Sequence, residues 1–210
     1  MRLYDSPWAP SPRRVRIFAA EKGIALDRIE VDLGSGEHLR EPFLRCNPRG
    51  AVPVLETDDG ECLTEGPAIC RYLEALYAEP PLFGATPIEV GRIEQWTRRI
   101  EGEGYAAGVY AFRNSARSLA NRALVGAAPP VPQIPALVER AAVMWAAFVA
   151  DLDAHLADRT WIATEAYSFA DITALVTLDF CGRAKLALPE DAANLRRWHA
   201  AAGARPSASA

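Results

Sequence analysis

The stretch "NPRGAVPVLETDDGECLTEGPAI", residues 47–69, decides how the amino-terminal part of this chain is read. Pro53 precedes "VLE", and a proline, with no N–H to donate, is tolerated where a strand starts and not in its middle. "DDG" at 58–60 has the composition of a tight hairpin turn, which makes "VPVLE" and "ECL" antiparallel neighbours. Glu65 and Gly66 lead into Pro67, and proline in a first helical turn loses nothing because its N–H would lack a helical partner there. Ile69, Tyr72, Leu73, Leu76 and Tyr77 follow at helical spacing, an apolar stripe suited to lying on a sheet.

Working outward, "RLYD", "RRVRIFAAEKGI", "RIEVDL" and "REPFLRC" precede this stretch, so residues 1–79 take the order β-α-β-α-β-β-α. "EPPLFGATP" at 79–87 concentrates proline and small residues, the composition of a linker. From 88 to 205 the pattern is helical. Ile93, Trp96 and Ile100 open one stripe, Ile134, Val138, Ala141, Trp145, Phe148, Val149, Leu152 and Leu156 make a second, and "SFADITALVTLDF" and "EDAANLRRWHAA" begin two more. The proline-rich "VGAAPPVPQIP" at 125–135 separates the first two helices, and the tail "ARPSASA" is expected to fray. Ser168 to Asp171 match the capping box, which assigns Asp171 to stability.

With 23 basic and 27 acidic residues interspersed and a net charge of -4, the chain has no electrostatic footprint for nucleic acid or an anionic membrane. Its apolar runs are broken by charges well before the roughly 20 residues a bilayer requires, and Met1 leads directly into "RLYD", so a soluble cytoplasmic protein is expected. Cys46, Cys62, Cys70 and Cys181 show neither C-x-x-C spacing nor a Cys/His cluster, so they read as small buried or half-buried thiols, with no metal.

"RRVRIFAAEKGI", "GEHLREPFLRCNPRGAVPVLETDDG", "LTEGPAICRYLEAL" and "SFADIT", in this order, resemble the glutathione transferases over nearly the whole chain. "DSPWAPSPRRVR" resembles the atypical fungal and bacterial members that lack the usual Tyr, Ser or Cys activator. The resemblance implies an α/β thioredoxin-like domain over 1–79 and an all-α domain over 88–205. It also implies glutathione as co-substrate, a hydrophobic electrophile as acceptor, and a homodimer. The alternative is a non-catalytic glutathione-binding or scaffold module of the same fold, motivated by Ala9, which stands where relatives carry the activating serine or cysteine.

Within that resemblance, a cis bond before Pro53 exposes the N–H and C=O of Val52 to the cysteinyl amide of glutathione, in the manner of an added strand. Glu65 is expected to take the γ-glutamyl ammonium and the Gly66 N–H its carboxylate, at the positive end of a helix. Relatives mostly have serine at Gly66, so one hydroxyl contact is missing here. His38 and Arg49 are the candidates for the glycine carboxylate, Arg49 being alternatively an ordinary solvent-facing arginine. For thiol activation the hydroxyls near Ala9 are Ser11, Ser6 and Tyr4. Ser11 leads, either as a donor to sulfur or as an N-cap ahead of Pro12. Asn114 and Ser115 are second candidates, holding a water. Trp8, Trp96, Tyr105 and Tyr110 are either the acceptor's apolar surroundings or core.

Overall fold

A computed structural model describes residues 1–210. Four strands, β1 (Arg2–Asp5), β2 (Asp27–Glu30), β3 (Val54–Glu56) and β4 (Cys62–Thr64), form one sheet in the order β2-β1-β3-β4. β1 and β2 are parallel, and the crossover such a pair requires is α1 (Pro10–Glu21). β3 runs antiparallel to both β1 and β4, closing the hairpin through Thr57–Glu61 as the "DDG" turn implies. A short α2 (Phe43–Cys46) precedes β3, and α3 (Gly66–Leu76) follows β4 and packs against α1.

Alternation along the strands divides the sheet into two apolar faces. Leu3 and Leu55 pair across β1 and β3, fully buried with Val15, Ile17, Phe18, Ile69 and Leu73 of the two long helices. Val54, on the opposite face, packs with Val31 and Phe43. The edge of the Tyr4 ring meets Phe43 at a centroid distance of 5.9 Å. Asp5, at the end of β1, is almost fully buried yet compensated: Arg16 of α1 lies 2.5 Å from one carboxylate oxygen and Arg28 of β2 2.8 Å from the other. Lys22 extends from the end of α1 to the Tyr77 and Pro80 carbonyls at 2.7 and 2.6 Å, capping the carboxyl end of α3, whose last carbonyls have no helical partners.

Two compact units result. One comprises residues 1–80, 124–131 and 210; the other comprises 81–123 and 132–209. The second is helical: α4 (Pro87–Arg99), a π-helical stretch (Ile100–Tyr105), α5 (Ala106–Ser115), α6 (Pro135–His155), α7 (Phe169–Arg183) and α8 (Ala193–Gly203). Gly104 of the π stretch and Gly108 of α5 let Phe148, Phe180 and Cys181 approach so closely that a β-carbon at either glycine would overlap them. The tail does not fray as expected. Pro206–Ser209 form a 3-10 turn with Ser207 only 6% exposed, and Arg205 stacks on Tyr167 at 4.1 Å.

Helix α7 is buried around nearly its whole circumference and is therefore central to its unit. Its start is held by the Ser168–Asp171 capping box. The wholly buried Asp171 carboxylate accepts bonds from the Ile162 N–H, the Ser168 N–H and the Trp198 Nε1–H, at 2.9–3.0 Å, and so joins the first turn of α7 to α8. Burial pushes its carboxyl up to about 6, against the bonds from Ile162, Trp198 and Ser168 that favour the ionised form. Asp171→Asn leaves donors facing donors and should cost about 2–4 kcal/mol, read as a fall in denaturation midpoint. Because the folded-state value lies above the unfolded one, the titration stabilises at low pH and that contribution is lost as pH rises from about 4 to about 6. The gap between wild type and Asp171→Asn should accordingly narrow over that window.

Candidate functional site

Three chain segments leave the sheet at one edge. The register aligns Tyr4 with Val54 and Val54 with Thr64, so the segment after β1, the segment before β3 and the segment after β4 emerge side by side. These are Ser6–Ser11, Val52–Pro53 and Glu65–Gly66.

The segment before β3 is built by Asn47, a residue without an expected role. It is 4% exposed, donates to the Ala51 carbonyl at 2.7 Å and accepts from the Arg49 N–H at 3.1 Å. Gly50, with φ +59, closes the turn by donating to the Asn47 carbonyl at 2.9 Å. The signal was present in "NPRG", since an asparagine followed by proline and glycine is a common way to organise a turn through the side chain. Beyond it the Val52–Pro53 bond is cis. Pro53 is buried and Val52 half-buried, and neither the N–H nor the C=O of Val52 is taken by another group of the chain.

Glu65 joins β4 to α3 with φ 68 and ψ 117, a backbone state that costs a side-chain-bearing residue about 1–2 kcal/mol. It is the N-cap residue of α3, yet its side chain makes no capping bond and stands exposed. The carboxylate is thus held at the start of a helix without serving that helix. Gly66 is buried against α1: a β-carbon there would come within 3.3 Å of the Ser11 carbonyl oxygen. A side chain at this position would require the two helix starts to separate by a few tenths of an ångström.

At the third segment the structure corrects the expected cap. Helix α1 begins at Pro10, its N-cap is Ala9 with φ -84 and ψ 133, and no side chain caps it. Ser11 is the second helical residue, half-buried, and the only one of the first three with a backbone N–H, because Pro10 and Pro12 have none. The Ala9 N–H is spent on the Ser6 carbonyl at 3.0 Å. Of the other hydroxyls, Ser6 is buried, and Tyr4 donates to Glu56 at 3.0 Å. Burial and that bond push the Tyr4 phenol well above its ordinary range, away from thiol activation. Trp8 is 80% exposed, so it is not core.

His38 lies in a 3-10 turn, Glu37–Leu39, and is 5% exposed. Its carbonyl oxygen would be 3.0 Å from a β-carbon on Gly50, which puts this turn against the one that carries the exposed Arg49. Asn114 has a structural role. Its Oδ1 accepts the Ile134 N–H at 2.9 Å and its Nδ2 donates to the Tyr110 carbonyl at 2.9 Å, and it is 8% exposed. The amide ties α5 to the start of α6, a structural duty that uses one acceptor site of Oδ1 and one N–H of Nδ2. Trp96 and Tyr105 are packed, against His155 at 4.1 Å and Phe180 at 5.5 Å, while Tyr110 is 38% exposed. All four cysteines are free; burial pushes the Cys181 thiol up to about 12 and the Cys62 thiol up to about 11.

Family models for the glutathione S-transferase N-terminal and C-terminal domains match residues 5–76 and 127–206. Glutathione S-transferase 2 of Saccharomyces cerevisiae is 34% identical over 99% of this chain and 87% of its own length. The crystal structure of Gtt2 from the same yeast matches with a TM-score of 0.89 at 34% identity, covering 99% of this chain and 98% of that one. A glutathione S-transferase domain-containing protein of Marinobacter aquaeolei matches equally well, with a TM-score of 0.89, 34% identity and 99% of both chains covered. Its thioredoxin-like sheet, its helical second unit and its sequence together place this chain in the glutathione S-transferase family.

Proposed function

We propose that the chain is a glutathione transferase, joining the glutathione thiol to a hydrophobic electrophile. The observation that carries this is Glu65: a strained, exposed carboxylate at a helix start, beside an unpaired Val52 backbone, at the edge where α1 also begins. Strain of this kind persists where function needs the geometry. Glutathione lies along Val52 as an added strand, with the central amide on the Val52 N–H and C=O. Glu65 receives the γ-glutamyl ammonium, and the N–H of Gly66 receives the adjoining carboxylate with the helix dipole behind it. The glycyl carboxylate falls past Val52 to the Arg49 turn, with His38 beside it. The thiol is then directed to the start of α1.

An ordinary thiol, with pKa ~8.5, is mostly protonated at neutral pH, so the site has to favour the thiolate. Ser11, through its hydroxyl or its N–H, and the positive end of α1 supply that bias. The thiolate forms a C–S bond to the electrophile, whose leaving group or π bond takes the displaced electron pair. A cytoplasmic homodimer completes the proposal; no helix is long and apolar enough to cross a membrane. Ala9 at the N-cap, with no side chain to offer sulfur, favours the second reading, a glutathione-binding module without turnover.

Ultraviolet difference absorbance of the glutathione complex separates the two: a thiolate band at neutral pH supports the transferase, and tight binding without that band supports the module. Ser11→Ala should raise the bound thiol's pKa if the hydroxyl is the donor; an unchanged value hands the role to the backbone. Glu65→Ala should weaken glutathione by about tenfold or more, the loss of a charge-assisted hydrogen bond, measured by calorimetry. Glu65→Gly should lose affinity equally while relieving the positive φ, raising the melting temperature by about 2–4 °C. A variant that loses stability along with affinity contradicts the functional account of the strain.

A further inference from the structure

Residues 124–131 belong to the amino-terminal unit, although the chain on either side of them, 81–123 and 132–209, builds the helical one. The proline-rich segment is therefore more than a break between helices. Its tip meets the turn that carries Arg49. The Ala127 N–H donates to the Arg49 carbonyl at 2.8 Å. Gly126 has φ +76, and a β-carbon there would collide with that same carbonyl oxygen and come within 3.1 Å of the Gly50 oxygen. Gly50 is equally confined: its β-carbon position is 3.0 Å from the His38 oxygen and 3.1 Å from the Ala127 nitrogen.

The base of the loop is fixed as firmly as its tip. Arg113 donates to the Arg122 carbonyl at 2.6 Å, and Gln133 donates to the Arg113 and Ala116 carbonyls, both at 2.8 Å. The Ile134 N–H is held by Asn114 at 2.9 Å. A segment seated through a glycine that no other residue can replace without moving the backbone sets the position of what it touches. What it touches is the peptide plane of Arg49. With its carbonyl committed to Ala127, that plane is held with its partial negative charge turned toward the loop, away from an incoming anion.

We propose that the 124–131 loop, acting through Gly126 and Ala127, is the positioning element for the glycine end of glutathione. By fixing the Arg49 turn it lets the chain select the tripeptide over γ-glutamylcysteine, whose terminal carboxylate stops one residue short of Arg49. This rests on the glutathione assignment made above.

Calorimetric titration of glutathione and of γ-glutamylcysteine into wild type, Gly126→Ala, Arg49→Ala and the double variant tests it. Wild type should prefer glutathione. Gly126→Ala should weaken glutathione about three- to tenfold, the worth of one hydrogen bond, and leave γ-glutamylcysteine unchanged. In the Arg49→Ala background the Gly126 substitution should have no further effect, because the loop acts through that residue. Equal weakening of both ligands marks a loop that serves folding alone and overturns the proposal. So does an unchanged preference in Gly126→Ala, or a Gly126 effect that persists without Arg49. If wild type binds neither ligand, the glutathione assignment itself falls, and this inference with it.

Discussion

The row Tyr4, Val54 and Thr64, laid across three strands, is the constraint on which the rest depends. A shift of one residue in either pairing would exchange the faces of the sheet, sending Leu55 or Leu3 away from α1 and α3 and burying polar neighbours in their place. Because both faces are apolar and occupied, the register is strongly specified. With it fixed, the ends of β1 and β4 and the beginning of β3 have no choice but to emerge together. The candidate site is thus a consequence of packing: the core determines which backbone groups lie side by side, and loop residues at that edge provide the chemistry.

Much of this could be read from residues 47–69. Proline at the start of a strand, a "DDG" turn and a Glu-Gly-Pro helix start each have one ordinary structural meaning, and together they specify a hairpin followed by a helix. The strain at Glu65 was not legible, because a positive φ at a residue with a side chain is imposed by the surrounding strand and helix and leaves no mark in local propensity. The start of α1 was misjudged for a local reason as well. Ser11-Pro12 looks like a cap and its first helical residue, but Pro10 satisfies the same preference two residues earlier and Ala9 takes the cap. The bond from the Ile134 N–H to the Asn114 amide was not legible either, because its partner lies 20 residues on.

The loop at 124–131 was the least legible feature. Prolines and glycines announce a break, but where the broken segment settles depends on a partner far away in sequence, here the Arg49 carbonyl. The glycines at 50 and 126 carry positive φ and close backbone approach together, and the two requirements become visible only once both turns are in place. In the helical unit the opposite holds. The capping box at Ser168 and Asp171 is a short-range pattern and was recognisable at once, whereas its link to Trp198 on α8 is long-range and was not.

The central claim is that one edge of the sheet, where Val52, Gly66 and the first turn of α1 lie side by side, receives glutathione along its backbone. Amide proton and nitrogen shifts followed by nuclear magnetic resonance during titration with glutathione test it most directly, since each of the three segments contributes an N–H. The account predicts that the largest changes fall together on Val52, Gly66 and Ser11, saturating at one ligand concentration. Shifts confined to other parts of the chain, or no saturable shift at these three amides, would contradict it.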